Sequence, residues 1–153
     1  MRTEMERMHI VAAKWALGLV PAEALPRLAT NALEAGLDTP ALRLVAGELH
    51  PTRDETGVLF DEALDELGVK VPDRSRAALI VAKDYATQIA DGTLSPYQGA
   101  RQIWELHVEA EGALELGPFV YWASEWQQAD TRVRREYCET AIRTAALDLL
   151  TLV

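Results

Sequence analysis

The side chains that could do covalent chemistry are few. Serine, histidine and cysteine account for seven residues: Ser75, Ser95, Ser124, His9, His50, His107 and Cys138. Two of the serines fall at expected helix starts, where a hydroxyl caps a backbone N–H. No Gly-x-Ser-x-Gly elbow occurs, and such an elbow is what exposes a serine nucleophile in α/β-hydrolases. Cys138 lies on the inward face of a predicted helix. We therefore expect no catalytic residue and favour a non-enzymatic role.

A metal or nucleotide site is not expected either. Glu6 and His9 form one Glu-x-x-His motif, but a di-iron bundle needs two such motifs and two further glutamates. The other two histidines are preceded, three residues earlier, by Gly47 and Trp104. Neither Gly-x-Gly-x-x-Gly nor a P-loop is present. The sequence predicts no metal site and no cofactor.

An aromatic cluster is the most distinctive feature of the chain. Six of the ten aromatic residues lie between positions 97 and 126: Tyr97, Trp104, Phe119, Tyr121, Trp122 and Trp126. Phe119, Trp122 and Trp126 are spaced by three and four residues, so we expect them on one buried stripe of a helix. The favoured interpretation is a tryptophan-rich core. The alternative is an aromatic groove or interface, since Trp and Tyr are enriched at binding hot spots.

The same segment is acidic. No Lys or Arg occurs between Arg101 and Arg132, whereas six acidic residues do. We predict that one edge of the cluster is exposed and forms a binding surface. Its candidate residues are Trp104, Glu105, Tyr121 and Glu125.

A second acidic patch lies on a helix predicted over residues 56–67. It contains Asp61, Glu62, Asp65 and Glu66. The like-charge pairs Asp61–Asp65 and Glu62–Glu66 are spaced i,i+4 and cost a few tenths of a kcal/mol each. A solvated face is one explanation of this patch, and a binding surface for a basic partner is the other.

The elements that must position these residues are helices. Ala and Leu supply 45 of the 153 residues, and both are strong helix formers. No segment alternates apolar and polar residues as a half-buried strand does. We predict an all-α protein: a compact orthogonal bundle of about eight helices with no sheet. Leu49, Val108 and Leu152 are among the residues expected to face inward.

One domain is predicted over residues 1–153, with a subdivision near residues 50–55 as the alternative. The single cysteine excludes an intrachain disulfide and fits a reducing compartment. The longest apolar run, residues 10–20, is too short to cross a bilayer. We expect a soluble, cytoplasmic protein that does not associate with membranes.

The formal net charge of −9 argues against nucleic-acid binding and favours a basic partner. The leading hypothesis is a non-catalytic protein-interaction module, such as an inhibitor, an antitoxin-like protein or an adaptor. A small-ligand binder or enzyme with a Trp-lined pocket is the first alternative. An acidic helix-turn-helix regulator is the second. The apolar end of the last helix, residues 149–153, should pack into the core or against a second copy in a homodimer.

Overall fold

The computed structural model describes residues 2–152. Helix-forming residues make up most of this part of the chain, and side-chain caps mark several helix starts. These residues contain helices and no strand, so the all-α prediction is confirmed. The α-helices are α1 (Glu4–Ala16), α2 (Leu25–Glu34), α3 (Pro40–Ala46), α4 (Thr56–Glu66), α5 (Arg74–Asp91), α6 (Pro96–His107), α7 (Gly117–Gln128) and α8 (Arg132–Leu150). Short 3-10 helices, Ala22–Ala24 and Leu114–Leu116, precede α2 and α7.

The chain divides into two compact units. The N-terminal unit is Met1–Asp73 and the C-terminal unit is Arg74–Val153. The division falls immediately before α5, whereas the sequence pointed to residues 50–55 for a subdivision. A single domain over the whole chain stays a prediction.

Side-chain caps explain where several helices begin. The Thr3 hydroxyl accepts a hydrogen bond from the Glu6 N–H, and the Glu6 carboxylate accepts one from the Thr3 N–H, which is a capping box. Thr39, Ser95 and Thr131 each accept a hydrogen bond from a backbone N–H in the first turn of α3, α6 and α8. Each cap satisfies a donor that has no partner within its helix.

Each unit has its own apolar core. In the N-terminal unit, Met8, Leu25, Leu42, Phe60 and Leu64 are almost completely buried. The corresponding residues of the C-terminal unit are Ile89, Ile103, Leu116, Phe119 and Ile142. The inward position predicted for Cys138 is confirmed, because the thiol is buried and free.

Three apolar residues expected to face inward are exposed instead. Leu49 is 85% exposed because α3 ends at Ala46, so the helical spacing no longer applies to it. Val108 is 81% exposed because α6 ends at His107. Leu152 lies beyond the end of α8 and is 44% exposed, although Leu149 is buried as predicted. The expectation for Val153 falls outside the described residues.

None of the helices in the described part of the chain combines the length and apolarity that a membrane crossing requires.

Candidate functional site

The C-terminal unit has a groove between α7 and α8. A three-residue connection joins these helices. Glu125 contacts Arg134 and Trp122 contacts Tyr137, so the helices run antiparallel from that connection. The groove encloses about 530 Å³ and reaches from Trp122 and Tyr137 to Glu115 and Leu152. We refer to it as the α7–α8 groove.

Small residues of α8 form the floor of the groove. They are Thr140, Ala141, Thr144 and Ala145. The Thr140 hydroxyl donates to the Glu136 carbonyl at 3.1 Å, and the Thr144 hydroxyl donates to the Thr140 carbonyl at 3.1 Å. Both hydroxyl protons are therefore used within the helix, and the floor offers mainly methyl groups to a ligand.

An aromatic pair closes one end of the groove. The rings of Trp122 and Tyr137 are 5.6 Å apart at an angle of 63°. The guanidinium of Arg134 lies over both, at 5.1 Å from the Tyr137 ring centre and 5.9 Å from that of Trp122. Tyr121 is half exposed and meets the edge of Trp122 at 4.9 Å. These contacts combine ring packing with cation–π attraction.

Glu125 holds Arg134 in this position. Its Oε2 accepts a 3.2 Å hydrogen bond from Nη2 of Arg134. This bond raises the pKa of the Arg134 guanidinium above its usual value. The aromatic end of the groove is therefore occupied by an arginine that is already paired with a carboxylate.

The opposite end of the groove is acidic. Glu115 and Asp148 are the charged residues that line the groove, and both are exposed. No salt bridge joins either carboxylate to another described residue. Pro118, Leu149 and Leu152 supply apolar surface beside them. The Lys83 ammonium on α5 borders this end, where it donates a 2.9 Å hydrogen bond to the Leu152 carbonyl.

The predicted tryptophan core is wrong. Phe119 is fully buried, but Trp122 and Trp126 are only half-buried. The buried stripe of α7 passes through Phe119 and Ala123, so the two tryptophans lie beside it. Trp126 stacks on Tyr97 at 3.9 Å between centroids and carries the Arg135 guanidinium at 4.8 Å. The aromatic cluster thus contributes an exposed edge to the surface.

The structure does not bring the predicted binding residues together in one site: they lie near the α7–α8 groove, on α6 and on α4. Tyr121 and Glu125 do not line the α7–α8 groove themselves: Tyr121 contacts Trp122, which does, and Glu125 bonds to Arg134 beside it. Trp104 and Glu105 lie on α6, where Arg101 stacks over the Trp104 ring at 4.7 Å and approaches Glu105 at 3.9 Å. Neither Trp104 nor Glu105 lines the groove.

The α4 patch, which belongs to the N-terminal unit, is partly structural. Asp61 accepts a hydrogen bond from the Trp15 indole, and Glu66 accepts one from the Ala41 N–H at 3.0 Å, in the first turn of α3. A carboxylate is favourable at a helix N-terminus. Glu62 and Asp65 are exposed. Two of the four predicted binding residues therefore contribute to helix packing.

Sequence reasoning missed the α8 side of the groove. Tyr137, Thr140, Ala141, Thr144 and Asp148 recur at helical spacing, one step around α8 from its buried stripe. Most of them are small or polar, so they resemble an ordinary solvated face. The signal available in the sequence was the absence of large charged side chains between Tyr137 and Asp148 on this stripe.

Comparisons with known proteins do not assign a role to this arrangement. No protein-family model matches the chain, and neither the curated proteins nor the solved structures contain a match.

Within residues 2–152, no three His, Cys, Asp or Glu side chains are grouped so that they could hold a metal ion.

Proposed function

We propose that the protein is a non-catalytic interaction module that binds a basic amphipathic helix in the α7–α8 groove. The observation that carries this proposal is the composition of the groove. Its floor is methyl-rich, one end is aromatic, and the charged residues that line it are the carboxylates of Glu115 and Asp148.

The shape of the groove supports a helical ligand. The α8 residues that line it extend from Tyr137 to Leu149, a rise of about 18 Å or just over three helical turns. Partners of this type place side chains at i, i+3, i+4 and i+7 into an apolar groove. The small floor residues allow the backbone of such a helix to approach α8 closely.

The sign of the charge supports a basic ligand. At the acidic end, the C-terminus of α8 and the N-terminus of α7 lie together, so their dipoles oppose each other. Glu115 and Asp148 are the charged residues that line the groove itself, whereas Arg76 and Lys83 lie beside Glu115 and Leu152 on the α5 side. A Lys or Arg beside an apolar anchor would satisfy both features of this end. The net charge of −9 would speed the approach of a basic partner at low ionic strength.

A small cationic ligand is the second candidate. The groove volume of about 530 Å³ lies within the range typical of small-molecule sites, ~300–1,000 Å³. Such a ligand would insert an apolar body beside Trp122 and place its cation near Asp148. Thermal-shift screening of aromatic amines against the wild type and Trp122→Ala tests this: a stabilisation lost in the variant supports it.

The DNA-binding alternative receives no such support. Three of the arginines that would have to contribute to a basic face each lie beside a carboxylate that offsets its charge: Arg74 beside Glu109, Arg132 beside Glu136 and Arg134 beside Glu125. Phosphate contacts require several available cations.

A cytoplasmic location and a homodimer through the C-terminal helix stay proposals. In such a homodimer α8 would form the interface.

Fluorescence anisotropy with a labelled probe peptide tests the proposal. The probe is a 16-residue amphipathic helix with Leu on one face and Lys on the other, and its comparison peptide carries Glu in place of Lys. We expect the Lys probe to bind the wild type and the Glu peptide not to bind. The double variant Glu115→Gln/Asp148→Asn should weaken binding of the Lys probe about tenfold, since two charged contacts are removed.

The chain offers a matched control for this charge change. Glu62→Gln/Asp65→Asn neutralises two exposed carboxylates of α4 in the N-terminal unit. It should leave binding of the Lys probe unchanged. If this control variant abolishes binding while the groove variant does not, the interaction surface is the α4 patch. If the Lys probe fails to bind the wild type, the proposal is wrong.

A further inference from the structure

We infer that a second copy of α8 is a ligand of the α7–α8 groove, so that two copies of the chain pair through antiparallel α8 helices. This inference rests on the proposed function, because it identifies one partner of the same groove. The observation behind it is that α8 itself has the features that the groove selects: a basic end, a small-residue face and a complementary acidic end.

The basic end of α8 is its first turns. Arg132, Arg134 and Arg135 lie there, and all three are exposed. The opposite end carries Asp148, which lies in the groove together with Glu115. Arg134 lies beside the groove-lining stripe of α8, whereas Arg132 and Arg135 lie on other faces of the helix, so an antiparallel arrangement of two α8 helices brings Arg134 of each copy toward Asp148 of the other. A parallel arrangement would bring like charges together instead.

The steric pattern along α8 is also self-complementary. Tyr137 is 58% exposed at one end of the stripe, whereas Ala145 and Leu149 leave room at the other end. With a twofold axis near Ala141 and Thr144, Tyr137 of each copy faces the hollow beside Leu149 of the other. Small residues lie at the crossing point, where the two backbones approach most closely. Such a contact is isologous: the same surface of each copy forms the interface, so the assembly stops at a dimer.

The arginines keep enough donors for the second contact. Arg134 uses Nη2 for Glu125, and a guanidinium carries five N–H donors. Arg135 lies over the Trp126 ring. Within its own copy the carboxylate that contacts Arg134 is Glu125 on α7, and Glu136 is bonded to Arg132 instead. A carboxylate from a second copy would be a second acceptor for the remaining N–H groups of Arg134.

Sedimentation velocity of the full chain over a concentration series tests the inference. We expect the wild type to pass from monomer to dimer below ~100 μM, a modest affinity that suits an exposed groove. Thr144→Arg places a long cation at the crossing point and should leave only monomer. Leu147→Arg is the matched control: Leu147 is exposed on the same helix and does not line the groove, so this variant should dimerise as the wild type does.

A charge exchange tests the antiparallel direction. Arg134→Glu and Asp148→Arg should each weaken the dimer about tenfold, since each places like charges opposite one another. The double variant Arg134→Glu/Asp148→Arg should recover most of the wild-type affinity, and circular dichroism confirms that each variant is folded. No recovery in the folded double variant overturns the antiparallel pairing.

The two proposals fail differently. A wild type that stays monomeric at all concentrations but binds the Lys probe overturns the α8 pairing and leaves the proposed function standing. A dimer that survives Thr144→Arg also overturns the inference, because its interface must then lie elsewhere. A Thr144→Arg variant that loses both the dimer and the Lys probe supports both.

Discussion

The indole N–H of Trp15 donates a hydrogen bond to Asp61, with 2.8 Å between Nε1 and Oδ1. Trp15 is 8% exposed and its ring meets Phe60 edge-on at 5.6 Å. The Arg53 guanidinium lies over the same ring at 4.5 Å. An acidic residue that looked like part of a binding surface therefore helps to join α1 to α4. A buried donor without such a partner would cost free energy.

Replacing Asp61 should destabilise the N-terminal unit. Asp61→Ala removes the acceptor of the Trp15 N–H and should lower the free energy of unfolding by about 1–3 kcal/mol. Asp61→Asn keeps an acceptor oxygen and should lose less. Hydrogen exchange of the most protected α1 amides measures the free energy of unfolding of the N-terminal unit separately from that of the C-terminal unit. Asp65→Ala, an exposed acid on the same helix, should change the exchange free energy by less than about 0.5 kcal/mol.

Local chemistry explains why the helices were predictable. Ser95 and Pro96 set the beginning of α6 as expected, because the hydroxyl caps the Gln98 N–H. The ends were less predictable: α3 and α6 stop before Leu49 and Val108, which leaves both exposed. A helix end depends on whether tertiary packing supports one more turn, and a single sequence does not contain that information.

Gly99 gives a prediction about packing between α5 and α6. A Cβ built at Gly99 would lie 2.4 Å from Cγ1 and 2.5 Å from Cδ1 of Ile89, which is almost fully buried. Gly99→Ala should therefore cost about 1–2 kcal/mol, since overpacking outweighs the ~1 kcal/mol gain in helix propensity. Hydrogen exchange of the α6 amides measures this loss of stability.

Two further variants check the cause of the Gly99 effect. In an Ile89→Ala background the Gly99→Ala substitution should cost much less, because the obstructing atoms are gone. Gly117→Ala serves as the control, since nothing lies within 4 Å of its Cβ position. It should change the stability by less than about 1 kcal/mol, because the lower entropy of the unfolded chain is set against the restriction that Pro118 places on a Cβ at the preceding residue. A Gly99→Ala variant as stable as the wild type would show that Ile89 can move aside.

The Arg74–Glu109 pair leads to a prediction about pH. Arg74 donates two hydrogen bonds to the Glu109 carboxylate, at 2.9 and 2.8 Å. These bonds lower the pKa of Glu109 below its usual value. A depressed carboxyl pKa contributes stability above the unfolded-state pKa, and the contribution is lost as the pH falls through the folded-state pKa.

NMR titration of the Glu109 carboxyl group measures this effect. In Arg74→Met, the titration midpoint of Glu109 should move upward to the value of an unpaired glutamate. Equal Glu109 midpoints in the two proteins would mean that the bidentate pair does not persist in solution.

The candidate site shows where sequence reasoning reaches its limit. The sequence predicts that Tyr121 belongs to the exposed edge of the aromatic cluster, and this residue is half exposed. It also predicts that Trp122 is buried, because a large aromatic at helical spacing favours the core, and this residue is only half-buried. The rotation of α7 about its axis decides between these assignments, and the neighbouring helices set that rotation. The opposite wall, with Ala141 and Thr144, has no chemical signal before α7 and α8 are seen together.

The tryptophans Trp15 and Trp126 support a final paired prediction. Both are packed against an aromatic ring and an arginine, but they differ in one respect. The Trp15 N–H has Asp61 as its acceptor, whereas the buried Trp126 N–H has no hydrogen-bond partner among the described residues. Trp→Phe removes the same atoms at both positions, so the comparison isolates the contribution of the donor.

Trp15→Phe should cost about 2–4 kcal/mol, because it loses both a charge-assisted hydrogen bond and buried ring volume. Trp126→Phe should stay within about 1 kcal/mol of the wild type, because the loss of stacking on Tyr97 is offset by the removal of an unpaired donor. Hydrogen exchange of α1 amides reports the first and that of α7 amides the second. If Trp126→Phe costs as much as Trp15→Phe, the indole N–H of Trp126 has found an acceptor such as water, and the donor does not distinguish the two sites.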